Sequence, residues 1–416
     1  MLLLVALFLG TGLYFGDFYK VPLTILFIAT SVYALLITRG HSLQERINHF
    51  SNGAGAKNLL FMVWIFILAG AFASSAKAMG AIDASVELTL ALLPQKALLA
   101  GIFIASCFTS MSIGTSVGTI VALTPVAAGL ATETGFSTPL IVAATVGGAL
   151  FGDNLSFISD TTVVATRTQG IKMSDKFRTN IRIVLPAALI TTLLYILLGI
   201  NSTPTYTPAP ISLSQLIKVI PYLAVLILAI CGFDVLIVLF IGNLFTGIIG
   251  NCTGVFDMSG WFSSMANGIS GMGELILISM LAGGLLELIH INGGITYLIH
   301  RLTRRVRSSR GAEFCIAALV SLTNLCTANN TIAILSVGEI SKNIAKRYGV
   351  DARKSASILD TCSCIVQSFI PYGAQLLMAA GLASISPLEI IPTLFYPQLL
   401  ILAIISAILF GYPRNK

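Results

Sequence analysis

The chain has 416 residues, of which 56% are hydrophobic and only 10% charged, where an ordinary soluble protein carries about 25% charged residues. A mean hydropathy of +0.92 leaves too little polar surface to cover a water-soluble globule, which excludes a disordered chain, a secreted disulfide scaffold and a cytosolic enzyme. The formal charge of +7 comes from 24 Lys and Arg against 17 Asp and Glu, and the informative question is where those few charges sit.

A membrane-spanning helix needs about 20 mainly apolar residues. In chain order the first candidates are 1–16, 21–38 and 58–78. Residues 1–16 lack a basic leader and a convincing cleavage site, so they read as a spanning helix rather than a signal peptide. Residues 96–131 hold two apolar legs around a polar centre, Thr109 to Thr119, and read as a re-entrant hairpin. Residues 138–166 are apolar except near Gly152-Asp153-Asn154-Leu155-Ser156 and read as a broken helix. A helix at 182–200 and an external linker at 201–212 follow. The second half offers 213–231, 234–250 and 273–291. It continues with a hairpin at 313–345 around Thr323-Asn324 and Asn329-Asn330-Thr331, and a broken helix at 355–385 centred on Asp360 to Ser368. A last helix covers 392–411.

The recurrence of hairpin and broken helix is an internal repeat. Asn52-Gly53 matches Asn267-Gly268 at an offset of 215, Leu68-Ala69-Gly70 matches Leu281-Ala282-Gly283 at 213, and Thr119-Ile120 matches Thr331-Ile332 at 212. Phe157-Ile158 matches Phe369-Ile370, also at 212. The halves are 1–200 and 213–411. Charge then orients them, because cytoplasmic loops are rich in Lys and Arg. Loop 39–57 has three basic residues and its counterpart 251–272 none, and loop 167–182 has five while 384–392 has none. Conversely, 292–312 and 342–354 each carry five, and their counterparts at 79–95 and 132–138 none. Equivalent loops swap bias, as expected for an inverted-topology repeat. Each half then holds five crossings and one hairpin, with the fourth crossing interrupted. The expected fold is an all-α polytopic membrane protein with about ten transmembrane helices, two re-entrant hairpins and two broken helices. Both termini face the cytoplasm across the cell inner (plasma) membrane. Twenty of the 24 basic residues fall in the loops assigned inside and in the C-terminal tail. The surplus charge therefore reports orientation in the lipid bilayer and gives no support for a nucleic-acid partner.

The seven cysteines lie mostly in apolar runs, form no CxxC pair and read as packing residues. Gly114-Thr115-Ser116-Val117-Gly118 matches the G-x-S-x-G pattern of a serine hydrolase. That chemistry needs a preceding strand and a His-Asp partner set, and neither is evident. The paired aspartates raise an intramembrane aspartyl protease, but in Leu150-Phe151-Gly152-Asp153 the first glycine of its G-x-G-D signature is missing, with Leu150 in its place. No enzyme activity is expected.

The run Gly152 to Thr162 carries the most chemistry. A carboxylate at membrane depth is costly and is ordinarily functional. Asp153 and Asp160 with Asn154, Ser156, Thr161 and freed carbonyls make an oxygen-only ligand set suited to a small hard cation. Capping of the following half-helix is the competing role for the two aspartates. Thr115, Ser116 and Thr119 mark the first hairpin tip, and Asn329, Asn330 and Thr331 the second. Asp360 and Thr361 offer a further ionisable site, with pairing to Lys354 or Arg353 as the competing role. Asp234, Glu274 and Glu287 read as interfacial, and Lys77 and Arg167 as snorkelling.

The run Gly152-Asp153-x-x-Ser156-x-x-Ser159-Asp160-Thr161-Thr162 resembles the G-D-x-x-S-P-x-S-D-T-T signature of the NhaC-type sodium/proton antiporters. Gly114-Thr115-Ser116-x-Gly118-Thr119 is similar to that family's hairpin motif. The resemblance implies five helices and one hairpin per inverted repeat, a homodimer and an elevator-type motion. It implies no cofactor, with sodium and protons as transported species; the residues themselves offer Asp153, helped by Asp160 or Asp360, as the carboxylate that binds either ion, with Asp153 and Asp160 as the expected sodium ligands. Phe157 stands where the signature has Pro. The Phe variant occurs in relatives associated with organic substrates, so a coupled carrier of an amino acid or small carboxylate is the alternative. The absence of a basic residue at the expected midplane argues against a dianionic cargo.

Overall fold

The computed structural model describes residues 2–15, 20–157, 159–200, 213–231, 233–303 and 306–413. The expected linker at 201–212, together with Ile158, Arg304, Arg305, Arg414 and Lys416, lies outside the described residues. Within the described residues the regular elements are helical and no strand occurs.

The first half runs α1 (Leu2–Phe15), α2 (Leu23–Ile37), α3 (Leu43–Ala54), α4 (Lys57–Met79), α5 (Ala81–Leu92), α6 (Leu98–Ile113), α7 (Ser116–Thr134), α8 (Thr138–Leu155), α9 (Asp160–Gln169) and α10 (Met173–Ile200). The second runs α11 (Leu213–Ile230), α12 (Val235–Cys252), α13 (Met258–Gly271), α14 (Gly273–Ile291), α15 (Gly294–Thr303), α16 (Ser309–Thr327), α17 (Asn330–Tyr348), α18 (Ala352–Phe369), α19 (Ala374–Ala383), α20 (Pro387–Ile390) and α21 (Phe395–Leu409). Seven described helical stretches are long and apolar enough to cross a membrane, or eight if the pair bent by 55° at Leu394 is one span. Helices α2, α6 and α11 are apolar but shorter. The chain is thus a multi-pass helical membrane protein.

Hydropathy alone missed several helices. The expected loops at 39–57, 79–95, 251–272 and 292–312 contain α3, α5, α13 and α15. They are 10 to 14 residues long, below the length at which a spanning pattern is visible. Local chemistry explains them. Ser42 and Glu45 form a reciprocal capping box that starts α3, and Asp257 caps α13 through the Gly260 amide. Asp234 likewise caps α12 through Leu236.

Two packed groups result. In one, α3 and α14 pack together, as do α4 with α13 and α12, and α14 with α2. Glycines let these helices touch backbone to backbone. A methyl group on Gly53 would stand 2.5 Å from Gly283 O, and one on Gly70 would stand 2.5 Å from Gly268 O. In the other group, α8 packs against α6 and α7, and α18 packs against α16 and α17. The shorter pieces after each break cross over: α9 packs on α17 and α18, and α19 on α7. Helix α10 lies against α18, α21 and α6.

The breaks fall later than expected. Helix α8 continues in register through Gly152 and Asp153, and the extended residues are Ser156 and Ser159. Gly152 therefore does not loosen the helix. It permits close packing on α6, where an added methyl would stand 2.5 Å from Met111 N and 2.6 Å from Ser110 Cβ. Similarly, α18 runs unbroken through Asp360 to Phe369, and the extended residues are Ile370 and Gly373. The two hairpin tips share one backbone form. Gly114 and Ala328 are left-handed, at φ 76° and 47°, and Thr115 and Asn329 are extended. One and the same residue spacing separates Gly114 from Ala328, Ser156 from Ile370, and Ser159 from Gly373.

Candidate functional site

The first hairpin tip, the first helix break and the second hairpin tip meet around Asp153. Its side chain is buried at 5% exposure. The Ser116 hydroxyl at the start of α7 donates to Asp153 Oδ2 at 2.7 Å. The Ser159 hydroxyl, from the break, donates to Oδ1 at 2.5 Å and lies 2.9 Å from Thr161 Oγ1. The extended backbone at Ser159 turns α9 so that these hydroxyls face back toward α8. Gln375 Nε2 donates to Ser116 Oγ at 3.1 Å. Gln367 Nε2 in turn donates to Gln375 Oε1 at 2.9 Å and to Ala328 O at 3.0 Å. A continuous hydrogen-bonded chain therefore joins the Asp153 carboxylate to the opposite hairpin tip.

This chain borders a cavity of about 140 Å³. Thr115, Ser116, Asp153, Asp160, Thr161, Asn329, Asn330 and Thr331 all line it, with Ser159, Gln367 and Gln375. Asp160 is exposed and is the first residue of α9, on the rim rather than among the hydrogen-bonded hydroxyls. It does not cap the half-helix, since the N-cap is Ser159. Its charge in the first turn complements the helix dipole. Asn329 does cap α17, accepting from Ile332 N at 3.0 Å, and Asn330 Oδ1 accepts from Thr331 N at 3.1 Å. Among the described residues, the buried Asn330 Nδ2 group has no oxygen or nitrogen hydrogen-bond partner. A second cavity of about 380 Å³ adjoins the first, sharing Met62, Ala328, Asn329 and Ala374, and reaches Lys57, Glu287 and His290.

The remaining expected residues separate from this cavity. Thr119 is buried one turn into α7 with its hydroxyl on Thr115 O at 3.2 Å. Ser156 donates to Met111 O at 2.9 Å and ties the break to α6. Both hold backbone and neither lines the cavity. Asn154, Asp360 and Thr361 belong to a second buried cluster on the other side of α8. There Asp360 forms an ion pair with Lys176, the two side chains being 0% and 1% exposed. The ammonium also donates to Asn154 O at 2.5 Å and Thr162 Oγ1 at 2.9 Å. Asn180 Nδ2 donates to Asn154 Oδ1 at 2.5 Å and to its carbonyl at 3.0 Å. Ser357 and Thr361 donate to Asn180 Oδ1 at 2.7 and 2.8 Å.

Two expectations are corrected here. Asp360 pairs neither with Lys354, which pairs with Glu313, nor with Arg353, which pairs with Asp351. A basic residue expected in a loop is instead buried beside a candidate site. Lys176, expected in an inside loop at 167–182, lies in α10 and is buried. Counting basic residues cannot separate a snorkelling lysine from a buried one. The signal that could have found it is the buried stripe Lys176, Thr179, Asn180, Ile183, Val184 and Ala187 along α10, which has helical spacing. Gln375 and Asn180 were also missed, since a lone amide in an apolar run carries no sequence motif.

A carboxylate buried at a helix break, gathered with hydroxyls from a hairpin tip in a multi-pass helical protein, defines a secondary membrane transporter. A family model described as "Na+/H+ antiporter family" matches residues 2–200 and 205–413, and the chain belongs to that family. The NhaC Na(+)/H(+) antiporter of Alkalihalophilus pseudofirmus is 30% identical over 74% of this chain and 71% of that protein. NhaC of Bacillus subtilis is 25% identical over 87% and 85%. The malate-2H(+)/Na(+)-lactate antiporter of Bacillus subtilis is 22% identical over 99% and 94%.

Proposed function

We propose that the chain exchanges sodium for protons by alternating access, with Asp153 binding either ion. The observation that carries this reading is the buried Asp153 carboxylate, held by Ser116 and Ser159 at the edge of a small open cavity. A single carboxylate cannot hold a sodium ion and a proton together. Competition for it couples the two fluxes without any further device. With sodium bound, the Ser116, Ser159 and Thr161 hydroxyls turn their oxygens to the ion. With a proton bound, the carboxyl is neutral and the same hydroxyls complete its hydrogen bonds. Asp160, at the rim, adds negative charge that draws a cation toward the cavity.

The lining supports the inorganic reading: among the described residues the Asp153 cavity offers carboxylate, hydroxyl and amide groups and no Lys or Arg to hold an organic anion. The alternative, a coupled carrier of an amino acid or small carboxylate, draws on the lactate-antiporter relative and on the adjoining 380 Å³ cavity. Lys176 does not strengthen it, because its ammonium is already engaged by Asp360.

The motion we propose uses the two halves as an inverted repeat. Gly53 meets Gly283 while Gly70 meets Gly268, and by the sequence matches Gly53 corresponds to Gly268 and Gly70 to Gly283. Such reciprocal pairing is what a two-fold axis between halves produces. The spacing that relates the two tips also relates Asp153 to Gln367, and both line the cavity. The charged group of one half thus stands with a neutral amide of the other.

The test is sodium/proton exchange in proteoliposomes. Asp153→Asn is expected to reduce exchange to background while the protein stays monodisperse. Wild-type-like exchange by that variant would sink the mechanism. Exchange that requires an added amino acid or carboxylate would favour the alternative.

A further inference from the structure

The cluster behind Asp153 has the composition of a cation site, and its occupant is part of the chain. The Lys176 ammonium is surrounded by the Asp360 carboxylate, the Asn154 carbonyl at 2.5 Å and the Thr162 hydroxyl at 2.9 Å. Those oxygens come from three different helices, α18, α8 and α9. The Asn154 carbonyl lies in the last turn of α8, among the helix-end carbonyls that take partners from outside the helix. A carbonyl there carries the negative end of the helix dipole, which favours a positive charge. Asn180 fixes the cage from outside: its amide nitrogen donates to the Asn154 carbonyl and side-chain oxygen, and its own oxygen takes the Ser357 and Thr361 hydroxyls. Asp360 is fully buried, and an unpaired charge there is strongly unfavourable, so the carboxylate needs either a cation beside it or a proton on it, and here it has the ammonium.

We propose that this cage is a second cation site permanently filled by the Lys176 ammonium, a tethered substitute for a transported ion. The lysine neutralises Asp360 and bridges the break between α8 and α9 in every state of the cycle. It thereby confines the exchangeable sodium to Asp153. A chain without the ammonium keeps one carboxylate, one helix-end carbonyl and one hydroxyl aimed at the vacated space. That is a hard oxygen set, of the kind that binds small hard cations at roughly 2.3–2.6 Å. The inference deepens the sodium reading above and rests on it only for the identity of the ion used as probe.

The test counts sodium. Equilibrium binding of radioactive sodium to the purified full chain in detergent is compared between wild type, Lys176→Met and the double variant Lys176→Met with Asp360→Asn. Thermal stability is followed in NaCl and in choline chloride. Lys176→Met is expected to bind one more sodium per chain than wild type, and to be stabilised by NaCl more than wild type is, with no such gain from choline chloride. The double variant is expected to return to the wild-type count. A folded Lys176→Met chain that binds no additional sodium overturns the proposal. So does a Lys176→Met chain that stays unfolded in NaCl, because sodium then does not replace the ammonium. A wild type that binds no sodium sinks the reading of Asp153 instead, and the difference between wild type and variant still decides the cage.

Discussion

Ser116 donates its hydroxyl to Asp153 Oδ2 at 2.7 Å, so the tip of a hairpin is fastened to a carboxylate on a neighbouring broken helix. Ser159 holds the other oxygen from across the break. Hydrogen bonds to charged groups contribute about 1.5–3 kcal/mol. Replacing Ser116 or Ser159 by Ala is therefore expected to raise the sodium KM about tenfold or more, and both together further. Thr119→Ala, in the same helix but directed at its own backbone, is expected to leave KM near wild type. Equal effects of Ser116→Ala and Thr119→Ala on sodium-dependent flux would contradict the site as drawn.

Gly152 is required for packing rather than for the break. Gly152→Ala places a methyl against Met111 N and Ser110 Cβ. Overpacking of this kind costs about 1–3 kcal/mol, so the thermal midpoint of the purified protein is expected to fall. Gly273→Ala, which meets nothing within 4 Å, serves as the control and is expected to change it little.

Asn180 is a keystone of the Lys176–Asp360 cluster. Its side-chain oxygen accepts from Ser357 and Thr361. Asn180→Leu leaves those hydroxyls and the Asn154 side-chain oxygen to find new partners. Each buried group left unsatisfied costs about 1–3 kcal/mol. A clear drop in thermal midpoint is expected, with Asp153-dependent exchange retained in whatever protein remains folded. A variant as stable as wild type would show that the cluster is wetter and looser than its hydrogen bonds imply.

The proposed inversion of the two halves is open to labelling. Ser51 in α3 and Ser263 in α13 are both exposed and occupy corresponding helices. In a chain with Cys231 and Cys252 replaced by Ser, Ser51→Cys is expected to react with an impermeant thiol reagent only from the cytoplasmic side. Ser263→Cys is expected to react only from the outside. Labelling of both from the same side would rule out the inversion.

Much of this was legible in the residues themselves. Scarcity of charge determined a multi-pass helical protein, because a bilayer admits few charged side chains. The run Gly152 to Thr162 marked the family, and the polar islands at 109–119, 152–156 and 329–331 marked the tips and the break region. Those signals are local: an apolar stretch, or a polar residue where none is expected. The sequence by itself therefore determined the membrane class and the family, and it offered Asp153 as one of three candidate carboxylates.

Tertiary structure alone decided which polar residues stand together. Thirteen candidate positions looked equivalent along the chain, yet eight line one cavity, three join a separate ion-pair cluster, and Thr119 and Ser156 serve the backbone. The division arises because Asp153 and Asn154, neighbours in one helix, point about 100° apart, so one faces the hairpin tips and the other faces α10. Lys176 and Asp360 are far apart in sequence, and no local pattern couples them. Their pairing exists only because α10 and α18 are packed side by side on the broken helix.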